Sequence, residues 1–446
     1  MMIQNPRNAY GPYFQRQRVE IYHTYAKSLV ERGLAYPCFC TEEELDKVRA
    51  KQEEDKVLTG YYGEYATCRN LSYEEIEANI KAGKPYVLRL RSQGSPDKEI
   101  TFVDAIKGEI KLPENIHDIV LLKKDGIPTY HFAHAIDDHL MRTTTVVRGG
   151  EWLASAPIHY ELFHLLGFKM PAYAHTAHLM KFDEETGGKR KLSKRKDPEL
   201  SLDYYRKDGY HPYTMKVYLL TLLNSNFEEW HEKFPDKDIN EFPFSVEKMN
   251  QSGALFDKDK LHNICKNELS KLSEEELYDF LYDWAKENEP ENVEKWFGDR
   301  EKMLQILRLY MGVGAKRRRK DLMYAKQIFE LISYFFDGES AEEMDEFKLD
   351  EDMVSKILKS YLAKYDHNDD NSVWFNKLKE IADEHGFASD MKAYKANPEN
   401  FKGNVSDIAE AVRIAVTGRA NTPDLWTIVH IMGEEQMTER IKKHIK

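Results

Sequence analysis

Strand and helix signals alternate between residues 118 and 167 and then fade, which predicts an α/β nucleotide-binding domain followed by a mostly helical half. A third feature sharpens the first half. In Gly187-Gly188-Lys189-Arg190-Lys191-Leu192-Ser193-Lys194-Arg195-Lys196-Asp197, six of the nine residues after the glycines are basic. So many charges cannot be buried and paired, so the stretch is expected to be a mobile surface loop. A solvated loop is the plain account of such a run. The spacing Lys-x-Ser-Lys-Arg adds another: two ammonium groups and a hydroxyl on one short turn, suited to a polyphosphate.

Composition narrows the class. A chain of 446 residues predicts three or four domains, and 41% hydrophobic residues are enough for packed cores. No apolar run reaches the length of a membrane span, and the first residues lack a signal-peptide core. Four cysteines in so long a chain do not make a disulfide framework, so a reducing cytoplasm is expected. The net charge of -12 argues against wholesale nucleic-acid binding but leaves room for local basic patches. Two such patches stand out, 189–196 and Lys316-Arg317-Arg318-Arg319-Lys320. The second reads either as a solvated helix end or as a phosphate-backbone contact.

The elements follow in chain order. Val19, Tyr22, Ala26, Leu29 and Val30 recur at helical spacing over 16–34, with Gly33 placed to cap the end. Thr41 with Glu44, and Ser72 with Glu75, are capping-box pairs that open two more helices, ending near Lys56 and Gly83. Segments 86–91 and 100–112 read as strands, the second broken at Lys107-Gly108. Segments 119–122, 130–136 and 144–148 read as three more, with a turn at Asp125-Gly126. A helix then runs from Ser155 to Leu166 and stops at Gly167. Beyond residue 200 the helical stretches are 204–206, 213–223, 274–286, 301–310, 323–336, 353–364, 407–416 and 434–443.

Three constellations carry chemistry. Tyr130-His131-Phe132-Ala133-His134 continues to Asp137-Asp138-His139, a density of ligand-type side chains that invites a metal reading. On a strand His131 and His134 point to opposite faces, so a pocket floor lined by polar side chains is expected instead. Arg148 precedes Gly149-Gly150-Glu151-Trp152 at the carboxyl end of a strand, where open α/β sheets bind ligands. Its planar fork suits a carboxylate, and a surface ion pair is the alternative. Cys38 and Cys40, with Cys68 further on, supply three thiols for a zinc ion. Tyr62, Tyr65 or a water would complete the tetrahedron, and plain structural cysteines are the alternative.

Taken in order, these pieces resemble a bacterial glutamyl-tRNA synthetase, a class I aminoacyl-tRNA synthetase, over nearly the whole chain. The resemblance is carried by Gly11-Pro12-Tyr13-Phe14-Gln15-Arg16, Ala35-Tyr36-Pro37-Cys38-Phe39-Cys40, Cys68-Arg69 and Asp125-Gly126-Ile127-Pro128-Thr129-Tyr130. It continues through Asp137-Asp138-His139, Arg148-Gly149, the KMSKS-like Lys191-Leu192-Ser193-Lys194-Arg195, Ser252-Gly253-Ala254-Leu255-Phe256-Asp257 and Arg413-Ile414-Ala415-Val416-Thr417-Gly418.

The resemblance implies a Rossmann-type catalytic domain with an α+β acceptor-binding insertion, then a helical stem-contact and anticodon-binding region. The expected segments are 1–34 (remnant of the first catalytic half), 35–115 (insertion), 116–196 (second half with the loop), 197–310 (stem contact) and 311–446 (anticodon binding). Tyr130, Arg148 and His134 would line the glutamate pocket, and Glu151 and Trp152 would lie near the adenylate. Lys191, Ser193 and Lys194 would steady the phosphates of ATP. The expected substrates are L-glutamate, ATP with Mg2+, and tRNA-Glu, with tRNA-Gln open as a second acceptor. The implied activity is glutamate–tRNA ligation. No His-x-Gly-His occurs in the chain, so the family's HIGH-motif segment is expected to be missing. That leaves a truncated, non-catalytic tRNA-binding fragment or paralogue as the rival. Glutaminyl-tRNA synthetase, whose anticodon region is built from β-barrels, fits the helical tail less well.

Overall fold

The computed structural model describes residues 10–183, 185–193, 195–251, 253–336 and 344–446, which pack as two compact units. The first is formed by residues up to 191 together with 221–256, the second by 192–220 and 257–446.

The first unit holds three small sheets. Its strands are β1 (Ala35–Cys38), β2 (Val87–Leu90), β3 (Glu99–Asp104), β4 (Gly108–Pro113), β5 (Val120–Leu122), β6 (Thr145–Gly149), β7 (Ala172–Thr176), β8 (Leu179–Phe182), β9 (Lys189–Lys191) and β10 (Ala254–Leu255). Its main helices are α1 (Val19–Glu31), α2 (Glu42–Glu54), α3 (Tyr73–Lys81), α4 (Tyr130–Leu140) and α5 (Ala156–Leu166). One sheet runs β1-β2-β5, a second β10-β8-β9, and a third β4-β3-β7-β6.

The expected local signals hold at the caps. Thr41 and Ser72 each close a capping box with Glu44 and Glu75. Gly167 takes the left-handed conformation that ends α5, at φ 70°. The 100–112 segment is the hairpin β3-β4, turning at Gly108 with φ 78°. The nucleotide-binding type of unit is present as β6-α5-β7, with β6 and β7 parallel and Arg148 paired in register with His175. The expected strand 119–122 does not join that sheet; it pairs antiparallel with β2.

One expected strand is a helix. Residues 130–136 form the start of α4, which buries Phe132, Ala133, His134, Ala135 and Ile136. Phe132, Ile136 and Leu140 recur every four residues, and their shared face packs with Tyr22, Leu29, Leu121, Leu162 and Phe163. A seven-residue apolar run cannot separate strand from helix by periodicity alone, and here tertiary burial decided. The consequence is chemical: His131 and His134 fall three residues apart on one helix face rather than on opposite faces of a strand.

The glycine-led loop is also more ordered than expected at its start. Gly187, at φ 68°, donates its N–H to the Asp183 carbonyl, and the Asp183 N–H returns to Gly188, closing the β8-β9 hairpin. Lys189–Lys191 therefore pair with Met180–Phe182.

The second unit is helical among its described residues. A single core holds Leu269, Leu281, Trp284, Leu307, Ile328, Leu358, Trp374, Leu378, Ile408, Val412, Ile428 and Ile441, each almost fully buried. The longest helices are Glu274–Asn288, Glu351–Lys364, Asn371–His385 and Val405–Thr417. Ser273 opens the first of these with a capping box to Glu276. No helix among the described residues is long and apolar enough to cross a membrane.

Candidate active site

Arg148 lies at the carboxyl end of β6, half-buried, and its partners come from three elements. Its Nε donates to His175 Nε2 on β7 at 3.0 Å, and its Nη1 donates to His159 Nδ1 on α5 at 3.1 Å. The Trp152 carbonyl accepts from Nη2 at 3.5 Å. The guanidinium also sits 4.7 Å above the Tyr173 ring centroid, a cation–π contact. No carboxylate among the described residues pairs with it. That removes the surface-ion-pair alternative and leaves a cation held by aromatic and imidazole groups.

The chain of hydrogen bonds continues on both sides. His175 is fully buried, and its Nδ1 lies 2.6 Å from Asp104 Oδ2 at the end of β3. Asp104 also accepts from the backbone N–H groups of Ile106 and Lys107. Burial pushes the Asp104 carboxyl up, but His175 and these N–H groups outweigh it and hold it below its ordinary value. Burial pushes His175 down against the pull of Asp104, with Arg148 adding to the lowering. On the other side His159 Nε2 meets His131 Nδ1 at 2.9 Å. Burial, then the charges of His134 and Arg148, push His159 down to about 2.

Tyr130 and His134 join the same wall. His134 Nδ1 lies 2.6 Å from Asp138 Oδ2, one helical turn on, and its Nε2 lies 2.8 Å from the Tyr173 hydroxyl. The rings of Tyr130 and His134 stack at 5.6 Å, and Tyr130 meets Trp152 at 4.5 Å. Tyr130 is the exposed member of this set. Asp137, by contrast, belongs to the scaffold. It accepts from Arg18 at 2.9 Å and from the Tyr22 hydroxyl at 2.7 Å, tying α4 to α1 and pushing the Tyr22 phenol, already raised by burial, up to about 12. The aspartates and histidines of 130–141 thus divide between the groups around Arg148 and the tie to α1.

Glu151 and Lys191 come together at the open end of these strands. Lys191 Nζ stands 3.4 Å from His178 Nε2 and 4.0 Å from Glu151 Oε2, while His178 Nδ1 lies 3.4 Å from that same carboxylate oxygen. All three side chains are at least one-third exposed, so these contacts are weak and open to exchange with a ligand. Gly149 keeps space for this arrangement: a Cβ there would fall 2.2 Å from Glu151 Oε2. Further along, the Ser193 N–H donates to Asp197 Oδ2 at 2.7 Å, and Leu192 is buried. Lys194 lies outside the described residues.

The three cysteines do cluster. Among the described residues, Cys38, Cys40 and Cys68 form the one group of ligand-type side chains with donor atoms all within 4.8 Å of each other. The phenol between them is Tyr61, not Tyr62 or Tyr65. Its oxygen lies 3.4 Å from Cys38 Sγ and 3.3 Å from Cys40 Sγ. Tyr62 and Tyr65 turn away to the Leu58 carbonyl and to Asp55. Three soft thiols and one phenol fit a tetrahedral zinc ion.

Comparison with known proteins decides the family. Residues 2–263 match the family model for class I tRNA synthetases (E and Q), catalytic domain, and residues 276–445 match an anticodon binding domain. Over 97% of its length the chain is 53% identical to the glutamate–tRNA ligase of Acetivibrio thermocellus, spanning 79% of that protein. The chain belongs to the glutamate–tRNA ligase family of class I synthetases. A Clostridium perfringens glutamate–tRNA ligase is 46% identical over 98% of the chain and 80% of its own length. In structure, a glutamate tRNA ligase from Elizabethkingia meningosepticum, solved in complex with its amino acid, superposes with a TM-score of 0.73 at 26% identity. That match covers 98% of this chain and 84% of the other.

In the helical unit the basic run meets aromatic side chains. Arg317 and Arg319 line a groove of about 680 Å³ with Arg308, Trp426 and His430. Arginines and aromatic rings lining one groove are suited to nucleic acid, where one neutralises phosphate and the other stacks on a base. Asp104, His159, Tyr173, His175 and Tyr61 were not singled out from sequence. The signal was faint: His175 is a polar residue that directly follows the run Ala172-Tyr173-Ala174, and a strand there would have given it an inward direction.

Proposed function

We propose that this chain is a glutamate–tRNA ligase that activates L-glutamate with ATP and transfers it to the 3′ end of tRNA-Glu. The observation that carries the assignment to this site is Arg148, a cation in a buried aromatic and imidazole setting with no carboxylate beside it among the described residues. Arg148 binds one carboxylate of glutamate, and Tyr130 and His134 line the same pocket. The α-carboxylate attacks the α-phosphorus of ATP; an O–P bond forms, the bond to the β-phosphate oxygen breaks, and pyrophosphate leaves. Lys191, Ser193 and Lys194 offset charge on the departing phosphates, and Glu151 and Trp152 flank the adenylate. A ribose hydroxyl of the tRNA then attacks the acyl carbon, and AMP leaves. No enzyme nucleophile is needed, so positioning and charge stabilisation carry the rate. ATP enters with its Mg2+, which neutralises phosphate charge.

The helical unit supplies the tRNA grip, with 197–310 against the stem and 311–446 against the anticodon. Segment 35–115 forms the acceptor-binding insertion, where Cys38, Cys40, Cys68 and Tyr61 would hold zinc as a structural clamp. A reducing cytoplasm suits these thiols. The test is ATP–pyrophosphate exchange with glutamate and tRNA-Glu, run beside tRNA-Gln. Exchange that requires glutamate is expected. Retained tRNA binding with no exchange would mean that this chain binds tRNA without charging it.

A further inference from the structure

We propose that His159 and the His175–Asp104 pair are positioning residues for Arg148, holding its guanidinium plane so that one N–H on each terminal nitrogen stays free for a substrate carboxylate. The proposal rests on the reading of Arg148 as the glutamate-binding arginine.

Proton bookkeeping along the hydrogen-bond chain leaves one consistent arrangement. An arginine can only donate. His175 Nε2 and His159 Nδ1, its partners at 3.0 and 3.1 Å, must therefore both be unprotonated acceptors. His175 then carries its proton on Nδ1 and donates to Asp104 Oδ2, while His159 carries its proton on Nε2 and donates to His131 Nδ1. Asp104 is locked in turn, because the Ile106 and Lys107 N–H groups occupy its other oxygen. Each imidazole is neutral in this scheme, and protonating either would set an N–H against an N–H. The Nε of Arg148, one hydrogen of Nη1 and one hydrogen of Nη2, on the Trp152 carbonyl, are used, and both rings are buried, so neither imidazole has room to turn away. The fork is preorganised before any substrate arrives, which is what keeps carboxylate recognition precise.

Two measurements on the full chain test this. Steady-state glutamylation of tRNA-Glu should show the KM for glutamate rising about tenfold or more in His159→Leu and Asp104→Asn, with the KM for ATP unchanged. In Asp104→Asn the amide donates toward His175 and turns its tautomer around. His159→Asn, whose Oδ1 replaces the accepting Nδ1, should recover most of the loss; a side chain that only filled space would be rescued by Leu instead. The second measurement is imidazole 15N NMR of the wild type at neutral pH, which needs neither activity nor a stable variant. It should find His175 protonated at Nδ1 and His159 at Nε2.

An unchanged KM for glutamate in both variants, alongside a raised one in Arg148→Ala, would overturn the positioning role and leave the arginine's role standing. If Arg148→Ala changes nothing, or the wild type does not use glutamate, the reading of the site has failed. The tautomers then decide whether the arginine is held as proposed, and the reverse tautomers overturn the proposal in every case.

Discussion

Arg148 and His175 face one another across a parallel strand pair, and the Nε of the first donates to Nε2 of the second at 3.0 Å. The register of β6 and β7 alone puts the two side chains on the same face at the same level. A strand end, a crossover helix bearing His159 and a neighbouring strand ending in Asp104 thus converge on one guanidinium. Its charge has no carboxylate beside it among the described residues, so a ligand can supply one.

Arg148→Lys tests the fork rather than the charge. Lysine keeps the positive charge but offers a single nitrogen where the arginine spans His175, His159 and the substrate. The KM for glutamate is expected to rise about tenfold or more while the KM for ATP holds, measured by ATP–pyrophosphate exchange. A KM equal to that of the wild type would show that charge alone suffices.

Lys191→Ala should separate phosphate handling from amino-acid binding. Lys191 stands beside His178 and Glu151, at the end of the β8-β9 hairpin, and touches none of the partners of Arg148 named above. The expected outcome is a fall in kcat of about a hundredfold with little change in the KM for glutamate. The opposite split, a raised KM for glutamate at constant kcat, would remove Lys191 from pyrophosphate departure.

Acidification should weaken the first unit through His159. Its value in the folded protein lies near 2, against an ordinary 6.5, so the unfolded chain takes up the proton first as pH falls. The stability tied to this residue is complete above about pH 6.5 and is lost progressively below it. Between pH 7 and 5 the loss amounts to about 2 kcal/mol. In urea melts across that range, His159→Asn should flatten the pH dependence by about one proton. An unaltered slope would mean that the ring is charged or exposed in solution.

The cysteine cluster makes a prediction about metal content. Protein grown with zinc is expected to carry one ion per chain by elemental analysis, and Cys40→Ser or Cys68→Ser should lose it. Chelation should lower the melting temperature of the wild type and leave the serine variants unchanged, because a structural zinc stabilises only a chain that binds it. Metal-free wild type with an unaltered melt would make these plain structural cysteines.

Much of the candidate site is legible in the sequence, and what is not has physical causes. Arg148 at a strand end before Gly149-Gly150 could be read because glycines and a β-rich run mark such an end locally. The partners of Arg148 could not, since Asp104, His159 and His175 are 44, 11 and 27 positions away and no local pattern links them. The 130–136 segment reads as a strand because its short apolar and aromatic run carries little period. Packing of Phe132, Ile136 and Leu140 against the core made it a helix, which brought His131 and His134 onto one face. The choice of Tyr61 over its neighbours Tyr62 and Tyr65 depended on how the chain turns through 58–68.

Local chemistry in the chain is enough to read the family, the capped helices, the helical second half, the three thiols and the candidate arginine. These rest on local chemistry: capping pairs, glycine turns, hydrophobic periods and ordered motifs. That Arg148 has no acidic partner among the described residues, that two imidazoles contact it, and that Asp104 stands behind one of them come from the packing of the folded chain. Strand register and helix crossing set those distances, and they arise from burying side chains far apart in the chain. They determine which protons are held and which are free, and so whether a guanidinium at a strand end is a surface charge or a carboxylate seat.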